Sequence, residues 1–251
     1  MIQEIIKIAE QAGNAILEIY HKDFSIEYKD DKSPLTDADK VSNQIIIDEL
    51  KRLSPNIPII SEENKLTEYS ERKNWPKCWL VDPIDGTKEF IKKNGEFTVN
   101  IALIENGEPI LSVLGVPAQN KIFYAEKGNG SFVIENATTK ALKINDKITD
   151  TIRIVGSRSH QTPELLAYVE EQNSKFKNVE FVAAGSSLKF CLIAENKADV
   201  YPRLGPTMEW DTAAGQAIVV ASGAKVINWE TKKIMKYNKK NLLNSWFLVE
   251  R

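Results

Sequence analysis

Two stretches in the first half of the chain, FTVNIALIENGEPILSVLGVP and KIFYAEKGNGSFVIE, constrain the fold most. Both are apolar runs of strand length broken by turn residues. Asn106-Gly107 supplies the two positive-φ positions that a tight hairpin loop demands, and Gly128-Asn129-Gly130 marks a second reversal. A meander of this kind has to bury a face under other elements, and helices precede it. Ile5, Ile6, Ala9, Ala12, Ile16 and Leu17 recur at helical spacing between Ile2 and Tyr20. A second helix is predicted in SPLTDADKVSNQIIIDELKRL, with Val41, Ile45 and Leu50 on one face. Thr36 and Asp39 have capping-box spacing at its start. IPIISEE and KCWLVDP read as strands ahead of the meander.

From about Thr151 the rhythm becomes strand and helix in alternation. TIRIVGS, VEFVAAG and DVYPRLG read as strands; TPELLAYVEEQ, SSLKFCLIAENKA and WDTAAGQAIVVASG read as helices, the last closed by Gly223. AKVINW and NSWFLVE are predicted strands at the end. The expected organisation is an α+β subdomain over 1–150 and an α/β subdomain over 151–251. They are expected to be tightly joined, because no repeat, low-complexity tract or linker separates them.

At 251 residues and 42% hydrophobic the chain can build a sizeable core. A formal net charge of -2 argues against a basic surface for wrapping nucleic acid. Any anionic ligand must then be met by local charge or by metal. Cys78 and Cys191 lie in apolar segments without CxxC or zinc-ligand spacing, as expected of buried, reduced thiols in a cytosolic protein. No run approaches the roughly 20 apolar residues of a membrane span. MIQEIIKIAE lacks the basic start and unbroken apolar core of a signal peptide, so a soluble, cytoplasmic protein is expected.

The chemistry gathers in CWLVDPIDGTKEF, where an apolar strand is predicted to end at Asp82 because Pro83 cannot donate to a ladder. A turn there can bring Asp82 and Asp85 toward one point. Gly86 permits close backbone approach, and amides around Gly86 and Thr87 can face an anion. Two carboxylates that close repel unless a cation sits between them, and hard divalent ions such as magnesium take such ligands with substrate phosphate completing the shell. A bare D-P-x-D-G is also explained by a turn alone. Glu62 and Glu63 end another predicted strand, Asp211 begins a small-residue helix, and Asp39 begins the second helix. A solvated turn or an N-cap would account for each singly. Their joint occurrence in this order points to a metal-plus-phosphate site.

Glu62 in SEE, DPIDGT at 82–87 and WDTAAG at 210–215 resemble the signatures of the inositol monophosphatase superfamily of magnesium-dependent, lithium-sensitive phosphatases. The resemblance runs from the first helix to about Gly223. It implies an αβαβα layered sandwich of the inositol monophosphatase and fructose bisphosphatase type. DPIDGTKEFIKKNGEFTVNIALI and PRLGPTMEWDTAAG are most similar to the CysQ-type 3′(2′),5′-bisphosphate nucleotidases, with Lys88-Glu89-Phe90 carrying much of that likeness.

The resemblance implies that Glu62, Asp82, Asp85, Asp211 and the Ile84 carbonyl ligate two or three magnesium ions. It implies that Asp39 and Thr87 orient the attacking water, with Glu63 behind the ligands. Glu62, Asp85, Gly86, Thr87 and Asp211 also border the substrate. Ser157, Ser159 and His160 in GSRSH, Ser186 and Lys189 in GSSLKF, and Arg203 in YPRLG would hold the nucleotide and its second phosphate, with Arg158 a weaker candidate. The implied activity is removal of the 3′-phosphate from adenosine 3′,5′-bisphosphate, and of the same phosphate from 3′-phosphoadenosine 5′-phosphosulfate, clearing a by-product of sulfate assimilation. The partner is thus a small nucleotide bisphosphate, and the protein a monomer or homodimer. The resemblance leaves peripheral attachment to the inner membrane face open as an expectation, but no amphipathic basic anchor is evident here.

Three other readings stand beside this one. An aspartyl-phosphate phosphatase of the haloacid dehalogenase type has D-x-D-G-T, but its two aspartates are two residues apart and here they are three apart. The same metal chemistry could act on inositol monophosphate or fructose 1,6-bisphosphate, changing only the second half. A non-catalytic cation-binding interaction protein would be expected to lack a ligand or a water-positioning residue.

Overall fold

The apolar stripe at the N-terminus folds as α1 (Ile2–Tyr20), with Ile5, Ile6, Ala9, Ala12 and Ile16 buried. The structure is a computed structural model that describes residues 1–22, 24–29, 34–144, 148, 150–157 and 162–251. A two-stranded antiparallel ribbon follows, β1 (Ile26–Tyr28) with β2 (Pro34–Thr36). Next comes α2 (Asp37–Leu53), opened by a capping box between Thr36 and Asp39. Its buried stripe is Ala38, Ser42, Ile46 and Leu50. Val41, expected on that face, is 40% exposed. Spacing of four from Ala38 to Leu50 keeps one side of the helix inward, and Val41 falls outside that line.

A seven-stranded sheet then forms in chain order. It contains β3 (Ile59–Ser61), β4 (Lys77–Asp85), β5 (Thr98–Glu105), β6 (Glu108–Val116), β7 (Lys121–Glu126), β8 (Gly130–Glu135) and β9 (Thr138–Leu142). Only the β3–β4 pair is parallel. Short helices α3 (Tyr69–Arg72) and α4 (Thr87–Ile91) flank β4. Asn106 and Gly107 form the β5–β6 loop with φ of 51° and 78°. The expectation that Pro83 ends its strand is corrected: β4 continues to Asp85, which pairs with Thr98 after a register shift between Asp82 and Asp85. A bulge there absorbs the residue that has no N–H to give.

The remaining strands make a second sheet in the order β11-β10-β12-β14-β13. They are β10 (Thr151–Ser157), β11 (Asn178–Ala184), β12 (Val200–Arg203), β13 (Lys225–Asn228) and β14 (Phe247–Glu250), interleaved with α5 (Pro163–Asn173), α6 (Leu188–Ala194) and α7 (Glu209–Ser222). β10 is parallel to β11 and β12, and β14 is antiparallel to β12 and β13.

Side-chain alternation along the strands defines the layers. Trp79 and Val81 of β4 face α1 and α2, whereas Cys78 and Leu80 face the other way, into a core shared with α6, α7 and the second sheet. Ile152 and Ile154 of β10 face α5, and Val155 faces inward. The order is therefore α1 and α2, seven strands, α6 and α7, five strands, α5. α7 is buried on nearly all sides because it lies between two sheets. At Gly215 a β-carbon would come within 2.4 Å of the Phe190 ring, so this small residue lets α6 and α7 approach closely.

Candidate active site

Parallel pairing of β3 with β4 brings two acidic strand ends together. The Glu62 amide donates to Val81 O at 3.2 Å, which sets Glu62 beside Asp82. The β4 bulge is pinned by Ile84 N donating to Asp82 Oδ1 at 3.1 Å and Ser42 Oγ donating to Pro83 O at 2.9 Å. Asp211 enters from the first turn of α7, where its Oδ2 accepts from Met208 N at 2.8 Å. Among the described residues, one carboxylate oxygen from each of Glu62, Asp82 and Asp211 lies within 4.8 Å of the others. Asp85 stands beside this triplet. Its Oδ2 accepts from the Ser187 hydroxyl at 2.6 Å.

Burial pushes Asp82 and Asp211 well above the usual carboxylate range, and the neighbouring acids push them further. Burial also raises Asp85, while the Ser187 hydroxyl, Lys189 and the Ser187 amide pull it back. Such a cluster stays fully ionised only if positive charge enters it. All its donors are oxygens, several are anionic, and Ile84, whose carbonyl lies 3.3 Å from Thr87 Oγ1, lines the same cleft. That donor set fits a hard divalent cation. Some positive charge comes from Lys29, whose Nζ donates to Glu62 Oε1 at 2.9 Å and Glu63 Oε1 at 2.6 Å. Burial alone would lower the Lys29 ammonium, but these two carboxylates raise it above an ordinary lysine.

Asp39 and Thr87 meet beside the acids. Asp39 is 1% exposed, and its Oδ2 accepts from Thr36 Oγ1 at 2.6 Å and Thr36 N at 2.7 Å. Thr87 Oγ1 lies 3.2 Å from Asp39 Oδ1 and 3.3 Å from Ile84 O, both acceptors for its one proton. Burial raises the Asp39 carboxyl, opposed by the bonds from Thr36 and Thr87. Gly86, just before Thr87, has φ of 95°, and a β-carbon there would sit 3.0 Å from Ser186 Cβ. The DG pair therefore allows the loop before α6 to close against the metal-side loop.

The other wall comes from the second sheet. Ser157 ends β10, and Arg203 ends β12 with Nη2 donating to Pro206 O at 2.7 Å. The buried Arg203 Nε has no hydrogen-bond partner among the described residues. Lys189 is 4% exposed; its ammonium donates to Ser186 O and to Ala184 O at 3.4 Å, and lies 5.5 Å from the Tyr201 ring centroid. Burial pushes it down to about 8. Ser186 adopts φ of 45° and shares a hydrogen bond with Thr98 Oγ1 at 3.1 Å. Ser159 and His160, together with Arg158, lie outside the described residues.

A cleft of about 690 Å³ is lined by Glu62, Asp82, Ile84, Asp85, Gly86, Thr87 and Asp211 on one side, and by Ser157 and Arg203 on the other. Leu165, Leu204, Pro206 and Met208 add an apolar wall. A smaller cavity of about 130 Å³ shares Asp85, Ser157, Arg203 and Asp211 with it and adds Ser186, Ser187 and Lys189. Lys29 and Ser187 were not among the candidates found in the sequence. Lys29 sits in a short polar segment without periodicity, and Ser187 is masked by Ser186 in the S-x-x-K reading.

The model of the inositol monophosphatase family matches residues 1–249. The chain belongs to the inositol monophosphatase family. It is 43% identical over 251 residues to a protein of Salmonella typhimurium named 3′(2′),5′-bisphosphate nucleotidase CysQ, covering 99% of each chain. A Haemophilus influenzae protein of the same name is 34% identical, with 99% of this chain and 92% of the other covered. Among solved structures, CysQ from Bacteroides thetaiotaomicron, described as a bacterial member of this family, superposes with a TM-score of 0.87 at 42% identity, covering 99% of this chain and 96% of the other. An inositol monophosphatase from Anabaena shares the fold at 21% identity, with a TM-score of 0.73 over 99% of this chain and 89% of the other. The layered α/β fold expected of this family is the one observed. No helix of the described residues is long and apolar enough to cross a membrane.

Proposed function

We propose that the chain is a magnesium-dependent phosphatase that hydrolyses the 3′-phosphate of adenosine 3′,5′-bisphosphate to give AMP and phosphate, and that also accepts 3′-phosphoadenosine 5′-phosphosulfate. The observation that carries this reading is one cleft with opposite walls. An acidic triplet of Glu62, Asp82 and Asp211 lies within 4.8 Å on one, and Arg203 lies across from it, with Lys189 in the adjoining cavity. A substrate with two phosphates separated by a sugar suits such a cleft. The first would meet the acid wall through cations, and the second would meet Arg203, Lys189, Ser157 and Ser186. Full-length identity of 43% to a relative named as a bisphosphate nucleotidase supports the same substrate class.

Glu62, Asp82, Asp85, Asp211 and the Ile84 carbonyl would hold two or three magnesium ions. Bound there, magnesium would offset phosphoryl charge and make water more acidic. The chain's own part in proton transfer falls to Thr87 and Asp39. When Thr87 Oγ1 donates to Asp39 Oδ1, its lone pairs remain free to accept a proton from a water in the cleft. Asp39 then takes the threonine proton, a role suited to a carboxyl that burial makes more basic than usual. Thr36 holds the other Asp39 oxygen, so Oδ1 keeps a fixed direction. Leu204, Pro206 and Met208 offer apolar surface for the nucleoside, and Ser159 and His160 are proposed to complete its polar contacts.

Phosphate release tests the reading, measured from adenosine 3′,5′-bisphosphate and from inositol 1-phosphate, each with magnesium, without it and with lithium added. Magnesium-dependent, lithium-inhibited turnover of the nucleotide alone is expected. Preference for inositol 1-phosphate would overturn the substrate assignment, and failure with both would overturn the enzymatic one.

A further inference from the structure

Ser187 lies just before α6, 2% exposed, and its hydroxyl meets three other elements at once. It lies 2.6 Å from Asp85 Oδ2 on β4, 2.6 Å from the Asp211 carbonyl on α7, and accepts from Asn100 Nδ2 on β5 at 3.0 Å. Its single proton serves only one of these two acceptors at a time while a lone pair accepts from Asn100, so the hydroxyl is held between Asp85 and Asp211. Asn100 is itself held, because its Oδ1 accepts from Thr98 Oγ1 at 3.1 Å; that threonine and Asn100 are both fully buried. A line of side chains thus runs from β5 through Ser187 to a carboxylate of the cleft wall. It ties two strands of the seven-stranded sheet to the start of α6.

Asp85 and Asp211 reach the cleft from separate elements, one from a bulged strand end and the other from a helix start. Backbone pairing does not join those elements at this point. We infer that Ser187, supported by Asn100, is a positioning residue that fixes the Asp85 carboxylate relative to Asp211 and thereby sets the affinity of the site for divalent cations. This rests on the metal-site reading proposed above. With Oδ2 of Asp85 engaged by the Ser187 hydroxyl, and the Ser187 amide also bonded to this carboxylate, Asp85 cannot turn freely. Removing the hydroxyl leaves Asp85 held on this side by the Ser187 amide alone, takes away the side-chain link between Asp85 and Asp211, and leaves Asn100 Nδ2 without this acceptor. Partners of this kind behind a metal ligand typically change affinity by about 10–100-fold when lost.

The test is a manganese titration of the full chain, with free Mn²⁺ followed by electron paramagnetic resonance, on the wild type, S187A, S187T, N100A and D82N. Melting of each metal-free protein is recorded alongside. S187A is expected to bind Mn²⁺ about 10-fold or more weakly. S187T, which keeps the hydroxyl, is expected to restore most of that affinity. In turnover, the half-saturating Mn²⁺ concentration of S187A should rise while kcat at saturating Mn²⁺ stays near wild type. A purely structural serine would lower the melting temperature and leave the titration unchanged, and that result overturns the inference. Equal weakness of S187A and S187T also overturns it. Should S187A fail to fold, N100A decides the matter, with a loss of affinity expected and wild-type binding contradicting. D82N separates the two levels of the account. If D82N binds Mn²⁺ as the wild type does, the metal-site reading fails and takes this inference with it; if D82N loses binding and S187A does not, only the role of Ser187 falls.

Discussion

The two walls of the cleft bury opposite charges by different means. On the seven-stranded side, Asp82 is 1% exposed among other carboxylates, with Glu62, Asp85 and Asp211 all adding to its charge repulsion. On the five-stranded side, Lys189 is 4% exposed, but backbone carbonyls of Ala184 and Ser186 and the face of Tyr201 surround its ammonium. One wall is built of like charges that need an outside cation. On the other the Lys189 ammonium is met by groups of the chain itself, yet burial still lowers it to about 8. A bisphosphate crossing from wall to wall would reach the acids through bound cations and the lysine directly.

The largest expected effect comes from breaking the acid wall. D82N should reduce magnesium-dependent turnover by at least about 100-fold, more than loss of a partner behind a ligand. It should also raise the melting temperature of the metal-free protein by at least about 2 °C, since it removes one of several repelling buried charges. Calorimetry on both forms checks the pair. A drop in metal-free stability would contradict the charge account.

Next comes the Thr87–Asp39 pair. T87A should lower kcat by about 100-fold, the lower end for a lost proton-transfer route, with Mn²⁺ affinity unchanged. Steady-state kinetics at saturating metal, set beside a metal titration, would sharpen the division between holding cations and moving protons. An equal loss in both measurements would erase it.

The cation wall should give a smaller and more selective effect. K189M is expected to raise KM for adenosine 3′,5′-bisphosphate by about 10-fold or more, as removal of a charge-assisted contact would. Turnover of a nucleoside 3′-monophosphate, which lacks the 5′-phosphate, should be nearly unaffected. A matching loss on both substrates would place Lys189 on the wrong side of the comparison.

Stability against pH separates the walls most finely. Asp82 and Asp211 are raised when folded, so the metal-free folded state binds more protons than the unfolded chain above the ordinary value of 3.8. Their contribution is full below that value and is lost as pH rises through the folded values. Magnesium should therefore raise the melting temperature more at about pH 7.5 than at about pH 5. Lys189 has the opposite sign. Its folded value near 8 lies below the ordinary 10.5, so the unfolded chain binds the extra proton and the wild type should gain stability relative to K189M across that interval. Differential scanning calorimetry with and without magnesium reads both slopes.

The walls also differed in how openly the sequence spoke. DPIDGT carries two acids, the bulge proline and the permissive glycine in six consecutive positions, so the strand end and its chemistry were readable together. The helix and strand succession was readable because α1 carries an apolar stripe at helical spacing, while β4 and β5, buried on both faces, read as continuous apolar runs. The bulge hid in the same motif. Pro83 argues for the end of a strand, and only the partner strand β5 shows that pairing resumes at Asp85. Val41 looked like core because it is apolar, while the stripe that packs includes Ser42, whose hydroxyl is used by the Pro83 carbonyl. On the cation side, Arg203, Lys189 and Ser157 come from three distant segments, and no local pattern says that they meet. Lys29 and Ser187 are understood only through partners 33 and 102 residues away.

The most direct single measurement is phosphorus nuclear magnetic resonance of the products formed from adenosine 3′,5′-bisphosphate in the presence of magnesium. If the acid wall takes the 3′-phosphate and the cation wall retains the other, AMP bearing its 5′-phosphate should accumulate with inorganic phosphate. Adenosine 3′-phosphate as the nucleotide product, or the same products formed without magnesium, would contradict the account.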